Sequence, residues 1–384
     1  MSGFELKKFV YNKKNLIVFA ILALLLIGTH LFILNSSMNV DSFKQNKVGE
    51  IKYGISKAEE SLQKIDYPED LKSETKNNIE TYTQQIEALK SNHFNDYFKL
   101  QNQLDHQLLE HGKDDPQFKE QNAILQQNIN YYNLVKSRHL DFELEPGAQI
   151  RAFGAFINAS LYSMFTSIYL MIFSVLVSVQ ISTYFENKEF LFYDFAKIPR
   201  KKSLFHKVIA AVVVTFGWLL IVGIMDIVIV GLMNGFGDLN YPGFLINFAK
   251  TARDVETSGW KVDNMAIPNG EIILISLLYL LLILIFLSSI GAFLSTIFKK
   301  SLVVVGLLAV LIIGWSLVAD EKSVQFIRPY VPMSYLNPRE LLCNPFYLFG
   351  KNSLMVGVIY LTLMSIICYF AANLLLKKHK IRRI

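Results

Sequence analysis

Six long apolar runs most constrain what this chain can fold into, and they lie at residues 16–34, 156–182, 208–233, 272–298, 302–319 and 353–376. A transmembrane α-helix needs about 20 mostly apolar residues to cross the hydrocarbon core of a bilayer. Each run approaches or exceeds that length. Because 52% of the chain is apolar and the mean hydropathy is +0.32, an ordinary soluble protein is excluded. We therefore expect an all-α integral membrane protein with six transmembrane helices.

The segment 1–34 carries basic and aromatic residues ahead of the first apolar run. Phe4, Lys7, Lys8 and Tyr11 recur at helical spacing, which predicts an interfacial helix leading into the first transmembrane helix. A basic start followed by an apolar run is also typical of a signal peptide. The run is long for such a core, and no small-residue cleavage site follows it. An uncleaved membrane anchor is the favoured interpretation.

Residues 35–151 form a separate polar segment rich in Lys, Glu, Asp, Gln and Asn. Two stripes of apolar residues at helical spacing run through it: Ile79, Tyr82, Ile86 and Leu89, then Phe118, Leu125, Ile129, Tyr132 and Val135. Between the stripes, residues 111–116 (HGKDDP) indicate a helix end, a turn and a new start. The simplest prediction is a helical hairpin in an external domain, and the alternative is a long polar spacer.

The stretch 184–207 has the densest charge pattern beside any apolar run. Its basic residues are Lys188, Lys197, Arg200, Lys201, Lys202 and Lys207. Such a loop is typical of the cytoplasmic side of a membrane protein. Aromatic residues alternate with Glu186, Glu189 and Asp194, which predicts one or two short amphipathic helices at the interface.

Four basic clusters fix the expected topology. They occupy residues 7–14, 188–207, 299–300 and 377–383, and six spans place all of them on one side. Both termini are then cytoplasmic, and the domain at 35–151 is external. The two-residue break at Lys299 and Lys300 predicts that the flanking helices are antiparallel neighbours.

One acidic residue, Asp226, lies deep within an apolar run. A carboxylate there is costly unless it faces water or a partner, so it is a candidate for a translocation path. His30 lies at comparable depth in the first run, and it could share that path or simply pair with Asp226. A solvated dimer seam is a third interpretation.

The external loop at 320–352 contains Pro329, Pro332, Pro338 and Pro345. Proline at this density prevents a long helix and favours short, broken segments. An ordinary rigid external loop is the alternative to a segment that dips back toward the bilayer.

The sequence contains none of the common catalytic motifs. There is no HExxH, no GxSxG, no CxxC and no phosphate-binding glycine loop. The two cysteines and seven histidines show no metal-ligand spacing. The net charge of +6 is concentrated beside apolar runs, so topology explains it without nucleic-acid binding. We expect no enzyme, no metal and no cofactor in this chain.

The pattern of spans and loops resembles the ABC-2 type permease family, the membrane half of ABC exporters. The resemblance covers the whole membrane portion and is strongest in the stretch 184–207. Residues that fit the family pattern there are Glu186, Lys188, Glu189, Pro199, Arg200, Lys201 and Lys207. The small Gly-Thr pair common in the family is Phe190-Leu191 here.

The resemblance implies a bacterial cell-membrane permease that works with separate ATPase subunits and a second permease copy or paralogue. ATP would be bound by the partner ATPase, and the stretch 184–207 would couple to it. The loop at 320–352 would hold the external gate, at Pro329, Pro332, Asn337 and Pro338. The exported substrate would be a bacteriocin- or toxin-like peptide, or an amphipathic drug or lipid.

A non-transporting membrane scaffold is the main alternative. Some six-span proteins that resemble this family carry a large external helical domain and serve secretion systems or act as phage receptors. Their external domains are generally much longer than residues 35–151, which favours transport. A membrane enzyme ranks third, because no catalytic constellation is present.

Overall fold

The computed structural model describes residues 2–37, 40–63, 68–112, 119–142, 151–243, 267–319, 321–343, 348–349 and 352–381. Its helices are α1 Ser2–Val10, α2 Lys13–Ser37, α3 Val40–Leu62, α4 Glu69–Lys90, α5 Phe94–Gly112, α6 Lys119–Ser137, α7 Ala152–Leu161, α8 Ser167–Glu186, α9 Phe190–Phe195, α10 Arg200–Asn234, α11 Asn269–Phe298, α12 Ser301–Val318, α13 Pro338–Cys343 and α14 Ser353–Ile381. Two short strands, β1 (Pro242–Gly243) and β2 (Ile267–Pro268), pair antiparallel with Pro242 opposite Pro268.

Six helices are long and apolar enough to cross a membrane, which confirms that part of the predicted fold class. They cover Lys13–Phe32, Ser167–Glu186, Arg200–Asn234, Asn269–Phe298, Ser301–Val318 and Ser353–Leu376. The predicted helix ahead of the first span is also present as α1.

The second apolar run differs from the prediction, because it is divided into two helices. We predicted one span over 156–182, but α7 ends at Leu161 and α8 begins at Ser167. Thr166 has an extended backbone, with φ −72° and ψ 153°. The hydroxyl of Ser163 donates to the carbonyl of Ala159 at 2.5 Å. Such side-chain bonds to the backbone offer an alternative to the helical ladder and favour a break.

The chain divides into two compact units. The first comprises Met1–His30, Phe156–Met233 and Ile272–Ile384, and the second comprises Leu31–Ala155 and Asn234–Glu271. The polar segment predicted at 35–151 lies in the second unit, which also includes the loop after α10.

Small residues bring α8 and α11 of the first unit into close contact. A side chain at Gly291 would overlap Ser178, and the hydroxyls of Ser182 and Ser295 lie 2.9 Å apart. Close approach through small residues is typical of helix pairs in membranes. An apolar cluster extends this contact to α10 and α14 and contains Ile181, Leu204, Val208, Ala292, Ala372 and Leu376.

Among the described residues between positions 40 and 137, four helices form in place of the predicted hairpin, and each of α3 to α6 packs against the next. The break between α4 and α5 was missed because it contains neither Gly nor Pro. Asn92 takes the left-handed conformation there, with φ 62°, and the amide of His93 donates to the carbonyl of Ala88 at 2.9 Å. This helix end is a Schellman cap, in which Asn replaces the usual Gly.

Both predicted apolar stripes contribute to the core of this unit. Ile86 and Leu89 are buried on α4, and Leu125, Ile129 and Val135 are buried on α6. The helix end predicted at 111–116 is confirmed, since α5 ends at Gly112. The next helix, α6, begins at Lys119. Residues 113–118 lie outside the described residues.

The loop after α10 belongs to the second unit. The hydroxyls of Tyr131 and Tyr241 lie 2.6 Å apart, and the guanidinium of Arg138 donates to the carbonyl of Asn240 at 2.7 Å. Residues 238–243 therefore pack on α6 and its C-terminal turn.

Candidate functional site

The stretch between the second and third spans folds into a turn, the short helix α9 and a second turn. Lys188 and Lys197 take left-handed conformations, with φ 55° and 53°. The amide of Ile198 donates to the carbonyl of Tyr193 at 2.9 Å, so α9 ends in a Schellman cap. Pro199 then separates this cap from α10. One short helix therefore forms where one or two were predicted.

A buried ionic network joins α9 to α1 and α10. The ammonium of Lys207 lies 3.0 Å from a carboxylate oxygen of Glu5 and 3.2 Å from one of Glu189. The ammonium of Lys8 lies 2.8 Å from the same oxygen of Glu189. Lys207 and Glu5 are fully buried. Buried charges are tolerated when they are paired, and here two carboxylates meet two ammonium groups.

The rings of two tyrosines also lie against the ammonium of Lys207. Lys207 lies 5.2 Å from the ring centroid of Tyr184 and 5.7 Å from that of Tyr193, within the range of a cation–π interaction. The hydroxyl of Tyr193 donates to Glu5. We call Glu5, Lys8, Glu189, Tyr193 and Lys207 the α9 network.

The network shifts the pKa of two groups in α9 and the turn before it. Burial acts to raise the pKa of Glu189, but the hydrogen bond from Lys8 and the charges of Lys207 and Lys8 outweigh it, and the pKa is lowered. Burial and the hydrogen bond to Glu5 raise the pKa of Tyr193. Glu189 is thus held as a carboxylate and Tyr193 as a neutral donor.

Glu186 and Arg200 make separate contacts. Glu186 accepts hydrogen bonds from the amide of Ser301 at 3.1 Å and from its hydroxyl at 2.6 Å, so it caps the first turn of α12. The guanidinium of Arg200 contacts Asp194 through two nitrogens, with Nε 2.9 Å from Oδ1, and lies 4.7 Å from the ring centroid of Phe190. The first contact ties the start of the stretch to α12, and the second joins α9 to the first turn of α10.

The outer side of α9 is exposed. Phe192 is 63% exposed and Phe195 is 87% exposed. The basic residues Lys188 and Lys197, in the flanking turns, are exposed as well. We call these four residues the α9 face. Two exposed aromatic rings beside basic side chains are typical of a surface that contacts a membrane or a protein partner.

A second buried polar network lies in the first unit. Nδ1 of His30 lies 2.9 Å and 2.8 Å from the two carboxylate oxygens of Asp226. The hydroxyl of Ser160 donates to Asp226 at 2.5 Å. All three side chains are buried, and Nε2 of His30 has no hydrogen-bond partner among the described residues. We call these three residues the His30 network.

The turn geometry of α7 brings Ser160 to Asp226. Residues Phe156–Leu161 form a π-helical segment. A side chain at Gly223 would meet the ring of Phe156 at 3.2 Å, so α7 and α10 approach closely one turn before Asp226. The predicted pairing of Asp226 with His30 is therefore present, and Ser160 joins it.

The proline-rich loop is held by tyrosine hydroxyls. Tyr335 donates to the carbonyl of Pro329 at 2.7 Å, Tyr279 of α11 donates to that of Tyr335 at 2.8 Å, and Tyr360 of α14 donates to that of Tyr330 at 2.6 Å. Among its described residues, the loop forms three short 3₁₀ helices, Lys322–Val324, Arg328–Tyr330 and Pro332–Tyr335, which confirms the prediction of short, broken segments.

The last two predicted gate residues begin α13. The carbonyl of Asn337 accepts from the amide of Leu341 at 3.3 Å, and Pro338 is buried at the first helical position. Pro332 begins the 3₁₀ helix Pro332–Tyr335. Pro345 lies outside the described residues.

Sequence reasoning located part of the α9 network and missed the rest. It assigned Glu189 and Lys207 to the coupling stretch. It placed Lys8 only in the interfacial helix, gave Tyr193 no role in the site and did not name Glu5. One feature of the sequence could have pointed to Glu5, because it is the only acidic residue among the first 40. The predicted residues Lys188, Pro199 and Lys201 are exposed and lie outside the network.

Comparisons with known proteins gave no match to any family model, curated protein or solved structure. Among the residues that the structure describes, no group of three or more His, Cys, Asp or Glu side chains could hold a metal ion.

Proposed function

We propose that this chain is the permease subunit of a bacterial ABC-2 type exporter, which moves a peptide or an amphipathic drug or lipid out of the cell. A separate ATPase subunit would bind and hydrolyse ATP. The proposal rests on the two different sides of α9. The helix is tied to α1 and α10 by buried ion pairs, while Phe192 and Phe195 are exposed on it.

Force transfer explains why such an element would have two different sides. A helix gripped by a moving partner transmits that motion only if it is joined firmly to the spans behind it. The ion pairs of Lys207 with Glu5 and Glu189 supply that connection. The exposed rings give a partner apolar anchors, and Lys188 and Lys197 give it charges that set orientation.

The remaining parts of the proposal follow the expected topology. Both termini and the α9 face lie in the cytoplasm, and the second unit handles a substrate or partner outside the cell. Two copies, or one copy and a paralogue, enclose the path. His30 and Asp226 lie along it, and the segments at Pro329, Pro332, Asn337 and Pro338 form the external gate.

The first experiment is purification of the tagged full-length chain from its native bacterium in mild detergent, with mass spectrometry and an ATPase assay on the eluate. We expect an ATPase subunit to co-purify. A double variant F192D/F195D should reduce its recovery by about tenfold or more, because exposed aromatic anchors carry much of an interface's binding energy. The matched control is F326D, since Phe326 is 73% exposed outside the α9 face.

Three results decide this experiment. Loss of the ATPase with F192D/F195D but not with F326D would support the proposal. A preparation without any ATPase would contradict it. Recovery of secretion-system components in place of an ATPase would favour the membrane scaffold.

A second experiment tests coupling itself. The variant E189Q weakens the connection between α9 and α10 without touching the α9 face. We expect the ATPase to bind and hydrolyse ATP while export falls, with membrane insertion unchanged. Unchanged export in both E189Q and E186Q would rule out coupling through this stretch.

A further inference from the structure

Helices α3 to α6 of the second unit surround a cavity whose lining residues have no role in the proposed transport. Its volume is about 390 Å³, and side chains from α3, α4, α5 and α6 all line it. Small-molecule sites commonly occupy roughly 300–1,000 Å³. The cavity is therefore large enough for a small organic ligand.

Its lining combines aromatic rings with amide groups. The aromatic residues are Tyr82, Tyr97, Phe98, Tyr131 and Tyr132, and the amides are Gln85, Gln101, Asn102 and Asn128. Aromatic rings attract cations through the negative potential of their faces.

Two amide oxygens in the lining lack a hydrogen-bond partner among the described residues. They are Oε1 of Gln85 and Oδ1 of Asn102. Gln85 is fully buried, and its amide nitrogen donates to Oε1 of Gln101 at 3.0 Å, which leaves its own oxygen as a free acceptor. A buried acceptor without a partner is costly, and a ligand that donates a hydrogen bond removes that cost.

A buried carboxylate lies in the same wall. Asp105 is 3% exposed, and the amide of Gln101 donates to it at 2.8 Å. Burial raises the pKa of Asp105, against the hydrogen bonds from Gln101 and Asn128 and the charge of His106. The other charged groups of the lining, Lys47 and Glu50, pair with each other at 2.8 Å. Among the described residues that line the cavity, none forms an ion pair with Asp105.

The cavity is accessible from solvent. Glu50 on α3 and Asn128 on α6 line it and are exposed. A small molecule can therefore enter between these helices without unfolding the unit.

We propose that this cavity is a binding site for a small organic cation that carries N–H donors, such as a primary alkylamine. Its ammonium group would lie against Asp105 and donate to the side-chain oxygens of Gln85 and Asn102, and its alkyl chain would contact the tyrosine rings. The site is independent of the proposed transport function.

The first test needs no variant. The probe is n-pentylamine, titrated into the full-length chain in nanodiscs and followed by saturation-transfer NMR of the ligand. The matched ligands are n-pentanol, which has the same chain but no charge, and tetramethylammonium, which has the charge but no N–H donor. We expect saturable binding of pentylamine that is at least about tenfold tighter than either. Equal binding of pentanol, or no saturable binding of pentylamine, would overturn the proposal.

The second test locates the site. Variants Q85L and D105N keep side-chain size and should each weaken pentylamine binding by about tenfold or more. The controls are Q84L and D96N, which change exposed residues on the same two helices. Binding that is unchanged in both Q85L and D105N would place the amine elsewhere and contradict the assignment.

Discussion

The α9 network and the His30 network both place a buried carboxylate opposite a nitrogen base, but they are completed differently. In the α9 network, Lys207 has two carboxylates and two aromatic rings around it. In the His30 network, Asp226 has one imidazole and one hydroxyl, and Nε2 of His30 is without a partner among the described residues. The first arrangement balances its charges and suits a fixed connection. The second leaves one ring nitrogen without a hydrogen bond among those residues, so its polar groups are less completely satisfied.

The largest effect should come from E5Q. This change leaves the fully buried ammonium of Lys207 with Glu189 alone. Removing one partner of a buried ion pair costs about 3–5 kcal/mol when the other charge is left unpaired, so we expect a cost at the lower end, about 3 kcal/mol. The measurement is the free energy of unfolding of the full chain in mixed micelles titrated with SDS. The control is K7Q, which changes an exposed residue on the same helix.

A double variant separates two effects: loss of the attraction between Glu5 and Lys207, and burial of the Lys207 ammonium without Glu5. E5Q/K207M removes the ammonium together with its partner, so we expect it to be more stable than E5Q alone. A double variant that is less stable than E5Q would show that Lys207 stabilises the fold without Glu5.

The next effect should come from D226N, at about 2 kcal/mol, because hydrogen bonds to a charged group are lost while the shape is kept. A double-mutant cycle with H30Q should give a coupling energy of about 1 kcal/mol or more in the same unfolding assay. Additive effects would mean that the two side chains, although 2.8 Å apart, do not stabilise each other.

A smaller and pH-dependent effect is expected for E189Q. The pKa of Glu189 is lowered in the folded chain, whereas an unfolded glutamate titrates near about 4.3. Its stabilisation is therefore complete above about pH 4.3 and is lost as the pH falls through the folded pKa. We expect E189Q to cost about 1–2 kcal/mol at neutral pH and progressively less in acid. A cost that does not change with pH would assign the effect to packing.

The smallest effect should come from S160A, at about 1 kcal/mol, since Asp226 keeps its contact with His30. Thermal unfolding of the full chain is the measurement. S163A is the control, because the hydroxyl of Ser163 donates to the backbone carbonyl of Ala159 and makes no described contact with Asp226 or His30. An S160A variant as damaging as D226N would show that Ser160 is essential to the network.

Some of the fold was predictable because its signal is local. The six apolar runs, the amphipathic α1 and the stripes of α4 and α6 depend only on the spacing of apolar residues along the chain. The helix ends at Asn92, Lys188, Lys197 and Lys299 were less predictable. Each takes a left-handed conformation without being Gly, so the usual residue signal for a turn is missing.

The sequence by itself determined that the chain has six apolar helices, a polar helical segment and a charged stretch between the second and third spans. Only the tertiary structure decided that Glu5 pairs with Lys207, that Ser160 joins His30 and Asp226, and that four helices surround a cavity at Gln85 and Asp105. The physical reason is distance along the chain. Helix periodicity acts over a few residues, whereas Glu5 and Lys207 are 202 positions apart and meet only when the helices pack.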